Sequence, residues 1–289
     1  MSSFWSVWVI VITVFTIGLV TWILFANRSI EDDEQQMTGH VYDGIEEYDN
    51  PLPAWWFNLF LATIVFSVIY LLLYPGLGNF KGLLGWTSVG QWEQSVEQAE
   101  AAFVDYAGDF LTIPAKELAD TRQAVRMGQR IFRTYCSTCH GVDAKGTYAF
   151  PDLTNGIWQF GGSEQAVKHS IAEGRQGVMP AMGAVLGKDL DAMVEYVQII
   201  ASDEAKQHPM RERYEMLCAA CHQKDGSGNQ MLGAPNLRDG VWLYGGSRGE
   251  IRLSIDKGRH GVMPAHKNLL SDLRIHLVTA YIYSLQDSP

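Results

Sequence analysis

All four cysteines of this 289-residue chain fall in two short motifs that share one pattern. Cys136–His140 reads CSTCH, and Cys218–His222, which begins 82 positions later, reads CAACH. A redox-active cysteine pair needs an alternating strand–helix background that is not visible here, and a structural zinc site does not require a histidine after each pair. Cysteine, two residues, cysteine and histidine is instead the attachment signal for c-type haem. The motifs therefore predict two covalently bound haem c groups, attached through Cys136, Cys139, Cys218 and Cys221, with His140 and His222 as axial iron ligands.

A second repeated stretch offers the other axial ligand. Gly174–Met182 reads GRQGVMPAM, and Gly258–His266, 84 positions later, reads GRHGVMPAH. Haem iron in electron-transfer cytochromes commonly takes methionine or histidine in this position. The methionine before proline occurs in both copies, and proline restricts the preceding residue to extended geometry, which suits a side chain held out from a loop. We therefore expect Met179 and Met263 to be the sixth ligands of the two irons.

The last position of the repeated stretch differs between the copies. It is Met182 in the first and His266 in the second. Equivalent haem sites need equivalent ligands, so we expect both residues to lie at the rim and not on iron. The sequence leaves open whether each ligating methionine serves the haem of its own repeat or crosses over to the other.

The repeats extend over most of the second half of the chain. The segment PDLTNGIWQFGGS, from Pro151, matches PNLRDGVWLYGGS, from Pro235. Apolar residues at helical spacing lead into each cysteine motif and close each repeat, whereas strand-type alternation is weak. Ser247 and Glu250 form a capping-box pattern. The expected fold class is mainly α, with two N-terminal transmembrane helices followed by two tandem class I cytochrome c-like domains, each too small to build a large core without its haem.

The expected transmembrane helices are two apolar stretches that precede the repeats. Phe4–Phe25 and Ala54–Tyr74 carry no charged residue over 22 and 21 positions. At ~1.5 Å per residue, either is long enough to cross a hydrocarbon core of roughly 30 Å. The first stretch lacks the basic start and short apolar core of a cleaved signal peptide. We expect helices over about residues 4–26 and 54–74.

The net charge of −10 is concentrated between these two helices. Arg28–Pro53 carries eight acidic residues and one basic residue, whereas 24 acidic and 21 basic residues from Pro75 onward leave only −3. Nothing in the chain is basic enough for nucleic acid. The expected organisation is a membrane anchor over residues 1–75 with an acidic loop, a linker over 76–120, and cytochrome c domains over 121–205 and 206–289.

Two transmembrane helices, a linker and two haem c domains, in this order, resemble the CcoP-type dihaem subunit, subunit III, of cbb3-type cytochrome c oxidases. The stretch TGHVYDGIEEYDNPLPAWW, Thr38–Trp56, is similar to that family's signature ahead of its main membrane helix. Many members have arginine where Ala54 stands, so one charge beside the membrane is missing here. The resemblance covers essentially the whole chain.

The resemblance implies an electron relay in the bacterial inner membrane, with the haem domains and the N-terminus in the periplasm. Electrons from a soluble c-type cytochrome would pass through both haems to a monohaem cytochrome c subunit. From there they would reach the haem–copper subunit, which reduces oxygen to water and pumps protons. This chain would bind no oxygen itself, because His/Met ligation leaves no open iron position. Two alternatives remain: a membrane-anchored dihaem carrier of another respiratory complex, and a dihaem peroxidase, which would need one displaceable ligand.

Overall fold

The computed structural model of the protein describes residues 1–28, 37–48 and 52–286. Part of the acidic loop, including Glu31–Glu34 and Asp49, lies outside the described residues. The chain divides into two compact units, Met1–Ala101 and Ala102–Pro289. Both are mainly helical, as the apolar spacing of the sequence predicts.

Two long apolar helices dominate the first unit. They are α1, Ser3–Ala26, and α2, Ala54–Leu73, and both are long and apolar enough to cross a membrane. Only 6% of each apolar stretch is buried, so most of these side chains face outward. The core helix of a soluble protein would bury them, whereas a lipid-facing helix exposes them. Between the helices in the chain, β1, Met37–Tyr42, and β2, Ile45–Tyr48, form an antiparallel hairpin.

A few contacts attach α1 to α2 and to the segment that follows α2. The ring of Phe57 is buried, with Phe25 edge-on at 5.5 Å and the Arg28 guanidinium above it at 4.9 Å. At the other end of α1, the backbone N–H of Asn79 donates to Ser6 Oγ at 2.8 Å. The first helix is therefore held at both of its ends.

Further helices of 4 to 20 residues, three 3-10 turns and one strand pair are the regular elements of the rest of the described chain. The elements that lead to the first cysteine motif are α3, Ser88–Ala107; a 3-10 turn, Gly108–Thr112; α4, Ala115–Leu118; α5, Arg122–Tyr135; and α6, Ser137–His140. The first repeat continues with α7, Glu164–Glu173; β3, Arg175–Met179; α8, Gly183–Leu186; a 3-10 turn, Gly187–Asp189; and α9, Leu190–Ile199. After a 3-10 turn, Asp203–Gln207, the second repeat has α10, Arg211–Leu217; α11, Ala219–His222; α12, Arg248–Lys257; β4, Arg259–Met263; and α13, Asp272–Gln286.

Two apolar cores form in the second unit, and each combines elements of both repeats. In the first core, α5 and α7 of the first repeat pack with α13, which closes the second repeat, and both Phe132 and Leu277 are fully buried. In the second core, α9, which closes the first repeat, packs with α10 and α12 of the second, around fully buried Met193 and Tyr214. The closing helices are therefore exchanged between the two tandem domains.

The contact between α5 and α13 depends on a glycine. A Cβ at Gly128 would collide with the carbonyl oxygen of Leu277 and lie 2.7 Å from Tyr281 Cβ. The ring of Tyr281 packs against Phe132 at 5.3 Å between ring centres. Glycine thus lets the two helix backbones approach closely, with the aromatic rings packed beside the crossing.

The last part of the expected linker packs into the first core. Ala107, Ala115 and Leu118 are buried there. His276 of α13 donates from Nε2 to the carbonyl oxygen of Ile113 at 2.8 Å. These residues cover the face of α13 that α5 leaves open, so the segment from Ala102 onward belongs to the haem-motif unit.

The strands β3 and β4 join the two repeats as an antiparallel pair. Arg175 lies opposite Met263, Met179 lies opposite Arg259, and two glycines face each other in the centre. Half-buried and exposed residues alternate along both strands, so both arginines and both methionines lie on the inner face. The weak alternation of the sequence predicted little strand structure and did not reveal this pair, because five residues are too short for alternation to stand out from a loop.

Candidate functional site

Each cysteine motif continues directly from the helix that precedes it. The backbone N–H of His140 donates to the carbonyl oxygen of Cys136 at 3.0 Å, and that of His222 donates to Cys218 at 2.9 Å. Residues four apart in such a turn lie on one face of the helix. The first cysteine and the histidine of each motif are therefore on the same side.

The two motif histidines are buried and oriented in the same way. The Nδ1 atoms of His140 and His222 lie 3.1 Å from the carbonyl oxygens of Pro151 and Pro235. Since a carbonyl can only accept, Nδ1 carries the proton and Nε2 keeps its lone pair. Metal-ligating histidines are typically oriented by such a hydrogen bond. Burial also lowers the pKa of both imidazoles, which favours the neutral form that binds metal.

The first thiol of each motif is shielded from solvent. Burial, together with the smaller effect of the second cysteine of each motif, raises the pKa of the Cys136 and Cys218 thiols to about 11. All four cysteines are free. The first thiol of each motif, on Cys136 or Cys218, is thus present in its protonated form at neutral pH.

The two predicted methionine ligands each lie against the core of the opposite repeat's cysteine motif. Met263 packs, half-buried, against the first core, to which Cys136 also belongs. Met179 packs against the second core, together with Cys218. The strand pair thus carries each methionine away from the cysteine motif of its own repeat.

Two glycines bring the helix ends close to these methionines. Gly174 and Gly258 end α7 and α12 with φ of 73° and 72°, as expected for glycine C-caps. A Cβ at Gly174 would collide with the carbonyl oxygen of Met263, and one at Gly258 with that of Met179. The capping box of Ser247 on α12 is also present, as the sequence predicts.

Met182 and His266 are half-buried packing residues. The backbone N–H of Met182 donates to the carbonyl oxygen of Ile255 at 2.8 Å, and its side chain packs against the second core. The backbone N–H of His266 donates to Ile171 at 3.0 Å. Both therefore contact the helix of the opposite repeat more closely than the expected position at the rim implies.

Two buried polar atoms beside the strand pair lack a compensating partner among the described residues. Arg259 Nη2 and His266 Nδ1 find no hydrogen-bond partner among the described residues. Native proteins leave few buried polar groups in this state. A haem would bring a large apolar ring and two carboxylates, which would match an apolar core and the unpaired donor of Arg259. Together with the oriented histidines and free thiols, these residues fit one haem c at each motif.

The sequence gives almost no indication of one contact between the repeats, which is made by the loop after the second cysteine motif. The spacing of equivalent residues changes from 82 to 84 after the second cysteine motif, which marks a two-residue insertion. The lengthened loop reaches the first repeat, where Gln230 Nε2 donates to the carbonyl oxygen of Trp158 at 3.0 Å and Gly233 accepts from Gln159. The insertion therefore adds to the contact between the two repeats.

Known protein families match most of this chain. The family described as the N-terminal domain of cytochrome oxidase-cbb3, FixP, matches residues 34–81. The family described as cytochrome c oxidase, cbb3-type, subunit III, matches residues 123–197 and again 205–282.

Individual relatives agree with the two family matches. The chain is 40% identical to the cbb3-type cytochrome c oxidase subunit CcoP of Rubrivivax gelatinosus over an alignment of 295 residues. The alignment covers 99% of this chain and 96% of that protein. It is 34% identical to subunit FixP of Azorhizobium caulinodans, over 86% of this chain and 92% of the relative. It is also 34% identical to subunit CcoP of Cereibacter sphaeroides, over 87% and 95%. The chain belongs to the CcoP/FixP family, subunit III of the cbb3-type cytochrome c oxidases.

Proposed function

We propose that this chain is the membrane-anchored dihaem subunit that passes electrons to the catalytic core of a cbb3-type oxidase. His140 and Met263 would ligate one haem iron, and His222 and Met179 the other. When bound, the haems supply the one-electron redox chemistry. The proposed covalent attachment points are Cys136, Cys139, Cys218 and Cys221.

The packing of the two methionines supports the crossed ligation. Met263 shares the first core with Cys136, and Met179 shares the second core with Cys218. The helices that close the cores are exchanged in the same sense, so each methionine stays with the helix that follows it in its own repeat. A methionine that ligated the haem of its own repeat would have to leave this packing.

The ligand types suit an electron carrier. The carbonyl oxygens of Pro151 and Pro235 fix the ring orientation of His140 and His222, whose neutral imidazoles would offer Nε2 to iron. A thioether sulfur favours ferrous iron and raises the reduction potential, which suits a subunit that feeds a terminal oxidase. With a histidine and a methionine as ligands, each iron would have no position left for oxygen.

The strand pair also keeps the two sites near each other. Met179 and Met263 lie at opposite ends of the pair, because each faces the arginine that begins the other strand. Four residues along an antiparallel strand span about 14 Å at ~3.4 Å per residue. Since electron transfer slows steeply with distance, this closeness favours transfer between the two sites.

The relatives are named as subunits of the oxidase, which supports a place for this chain beside a haem–copper catalytic subunit. We infer that a soluble c-type cytochrome supplies the electrons and that a monohaem cytochrome c subunit receives them. The two apolar helices α1 and α2 would hold the haem domains at the membrane surface.

Redox titration of spectrally labelled haems tests the ligation. In Cys136→Ala the haem of the first motif keeps one vinyl group, so its α band moves to longer wavelength and can be followed separately. Adding Met263→His should lower the potential of this labelled haem, because histidine favours ferric iron more than methionine does. Adding Met179→His should instead lower the potential of the unlabelled haem. The control Met182→Leu should change neither potential.

The opposite pairing of effects would establish ligation within each repeat, and no effect from either variant would exclude both methionines. The relay itself is read from the same variants in the purified oxidase. Met263→His or Met179→His should slow oxygen consumption driven by reduced soluble cytochrome c, because a low-potential haem interrupts the path. An unchanged rate in both variants would contradict the relay.

A further inference from the structure

Two arginines on the inner face of the strand pair have no role in the ligation scheme. Arg259 lies opposite Met179, and Arg175 lies opposite Met263. Directly opposed side chains on one face of an antiparallel pair have Cβ atoms about 4.5–5.5 Å apart. Each arginine is therefore the cross-strand neighbour of the methionine proposed for the haem of the arginine's own repeat.

The guanidinium of Arg259 is held firmly but is incompletely paired. Its Nε donates to Ser254 Oγ at 2.9 Å, and its carbon lies 4.4 Å from the centre of the Tyr244 ring. Its Nη2 is buried and has no hydrogen-bond partner among the described residues. The nearby carboxylate of Glu250 accepts from the backbone N–H and hydroxyl of Ser247 as a helix cap. Arg259 therefore keeps one buried N–H donor without an acceptor among the described residues, although the Glu250 carboxylate is close enough to interact with its charge.

Arg175 repeats this arrangement in the first repeat. Its Nε donates to Ser170 Oγ at 2.8 Å, and its carbon lies 4.9 Å from the centre of the Phe160 ring. Its Nη2 donates to the carbonyl oxygen of Ala166 at 3.3 Å. Both hydrogen bonds go to neutral oxygens, so neither of them gives the Arg175 guanidinium a negative partner.

Burying an N–H donor of a charged group is costly unless an acceptor, best an anionic one, compensates for it. Guanidinium groups match carboxylates especially well, because two N–H donors can bind two oxygens side by side. Every haem carries two propionate carboxylates. We propose that Arg259 binds a propionate of the haem ligated by His222 and Met179, and that Arg175 does the same for the haem ligated by His140 and Met263.

This role of the arginines rests on the proposed function, since it assigns each arginine to a haem through the methionine opposite it. Removing the cation from beside a propionate leaves more negative charge near the iron, which stabilises the ferric form. Arg259→Gln should therefore lower the potential of one haem only. Arg259→Lys keeps the charge but loses the paired donors, so its shift should be smaller. The control Arg252→Gln removes an exposed charge from α12 and should shift neither haem.

The Met263→His background identifies which haem responds. There, Arg259→Gln should lower the potential of the haem that retains methionine, and Arg175→Gln should lower the potential of the bis-histidine haem. Resonance Raman spectra should show a changed propionate bending mode for the same haem in each case, including in Arg259→Lys if the Gln variant loses haem. Unchanged potentials and propionate modes in both arginine variants would overturn the proposal.

A shift in the opposite haem would overturn the pairing of arginine with methionine across the strands. The crossed ligation is tested separately, by the methionine variants in the Cys136→Ala background. Those variants leave both arginines in place, so their result does not depend on the arginine proposal. The two proposals can therefore fail independently.

Discussion

Gly174 and Gly258 set how closely each helix end approaches the methionine of the other repeat. Both adopt a positive φ, and a side chain at either would collide with the backbone of the methionine strand. Glycine is needed here for two separate reasons, a left-handed conformation and a close backbone contact. These positions therefore couple the end of a helix to the placement of a proposed iron ligand.

Gly258→Ala should displace Met179 and destabilise the second haem site. A left-handed conformation at a residue other than glycine costs roughly 1–3 kcal/mol, and relieving the collision with the Met179 carbonyl adds to this cost. We expect a lower free energy of unfolding and partial loss of the thioether–iron charge-transfer band. Gly177→Ala is the matched control, since a Cβ at that position would meet no atom within 4 Å and the φ of Gly177 is not positive. A Gly258→Ala protein with the full band and stability would contradict this coupling.

At the scale of single residues, the sequence predicts the chemistry of each cysteine motif better than it predicts which methionine serves which motif. The fixed spacing of Cys136, Cys139 and His140 is a local property of the chain, so it can be recognised without a structure. Which core Met263 packs against is decided by contacts with residues more than a hundred positions away in the sequence. The unpaired Nη2 of Arg259 likewise depends on the residues that surround it in three dimensions, which its position in the sequence does not indicate.

At the scale of elements, the exchange of α9 and α13 is the main feature that the sequence did not determine. The helices themselves were predictable, because apolar residues at helical spacing mark α5, α9 and α13. Both repeats carry the same apolar pattern, so a closing helix could cover the core of either repeat. What selects the exchanged arrangement is the combined fit of the strand pair and of close contacts such as that at Gly128.

Matched cavity variants in the two closing helices should affect opposite haem sites. Leu277 of α13 and Met193 of α9 are equivalent in the repeats, and both are fully buried. Replacing either by alanine should cost about 2–5 kcal/mol. With the first haem labelled by Cys136→Ala, Leu277→Ala should lower the temperature at which the labelled α band is lost. Met193→Ala should instead lower the temperature at which the unlabelled α band is lost. If each variant destabilised the other band, the exchange of the closing helices would be contradicted.

At the scale of the whole molecule, the sequence predicts the order of anchor and haem domains, and the family matches cover this order. The sequence says much less about which side of the membrane each segment faces. The rule that basic residues stay on the cytoplasmic side has little to act on, because Arg28 is the sole base between the two apolar helices and Lys81 is the first after them. The proposed orientation depends instead on c-type haem being attached outside the bacterial cytoplasm.

Protease accessibility tests the proposed topology. With both haem domains in the periplasm, two crossings place the N-terminus on the same side and the acidic loop in the cytoplasm. Protease added to intact spheroplasts should therefore remove the haem-staining fragments. Survival of those fragments until the membrane is permeabilised would show that the orientation is wrong, and a cytoplasmic marker protein serves as the control for leakage.

The exchanged closing segments also set the order in which the two sites can be completed as the chain is made. His140 emerges 123 positions before Met263, so under the proposed ligation and topology the first motif would wait for the last strand and α13 to cross the membrane. Met179, in contrast, emerges 43 positions before His222 and is already present when its motif arrives. Under the proposed ligation, one site receives its histidine first and the other receives its methionine first. The earliest motif to leave the ribosome is therefore the one whose site closes last.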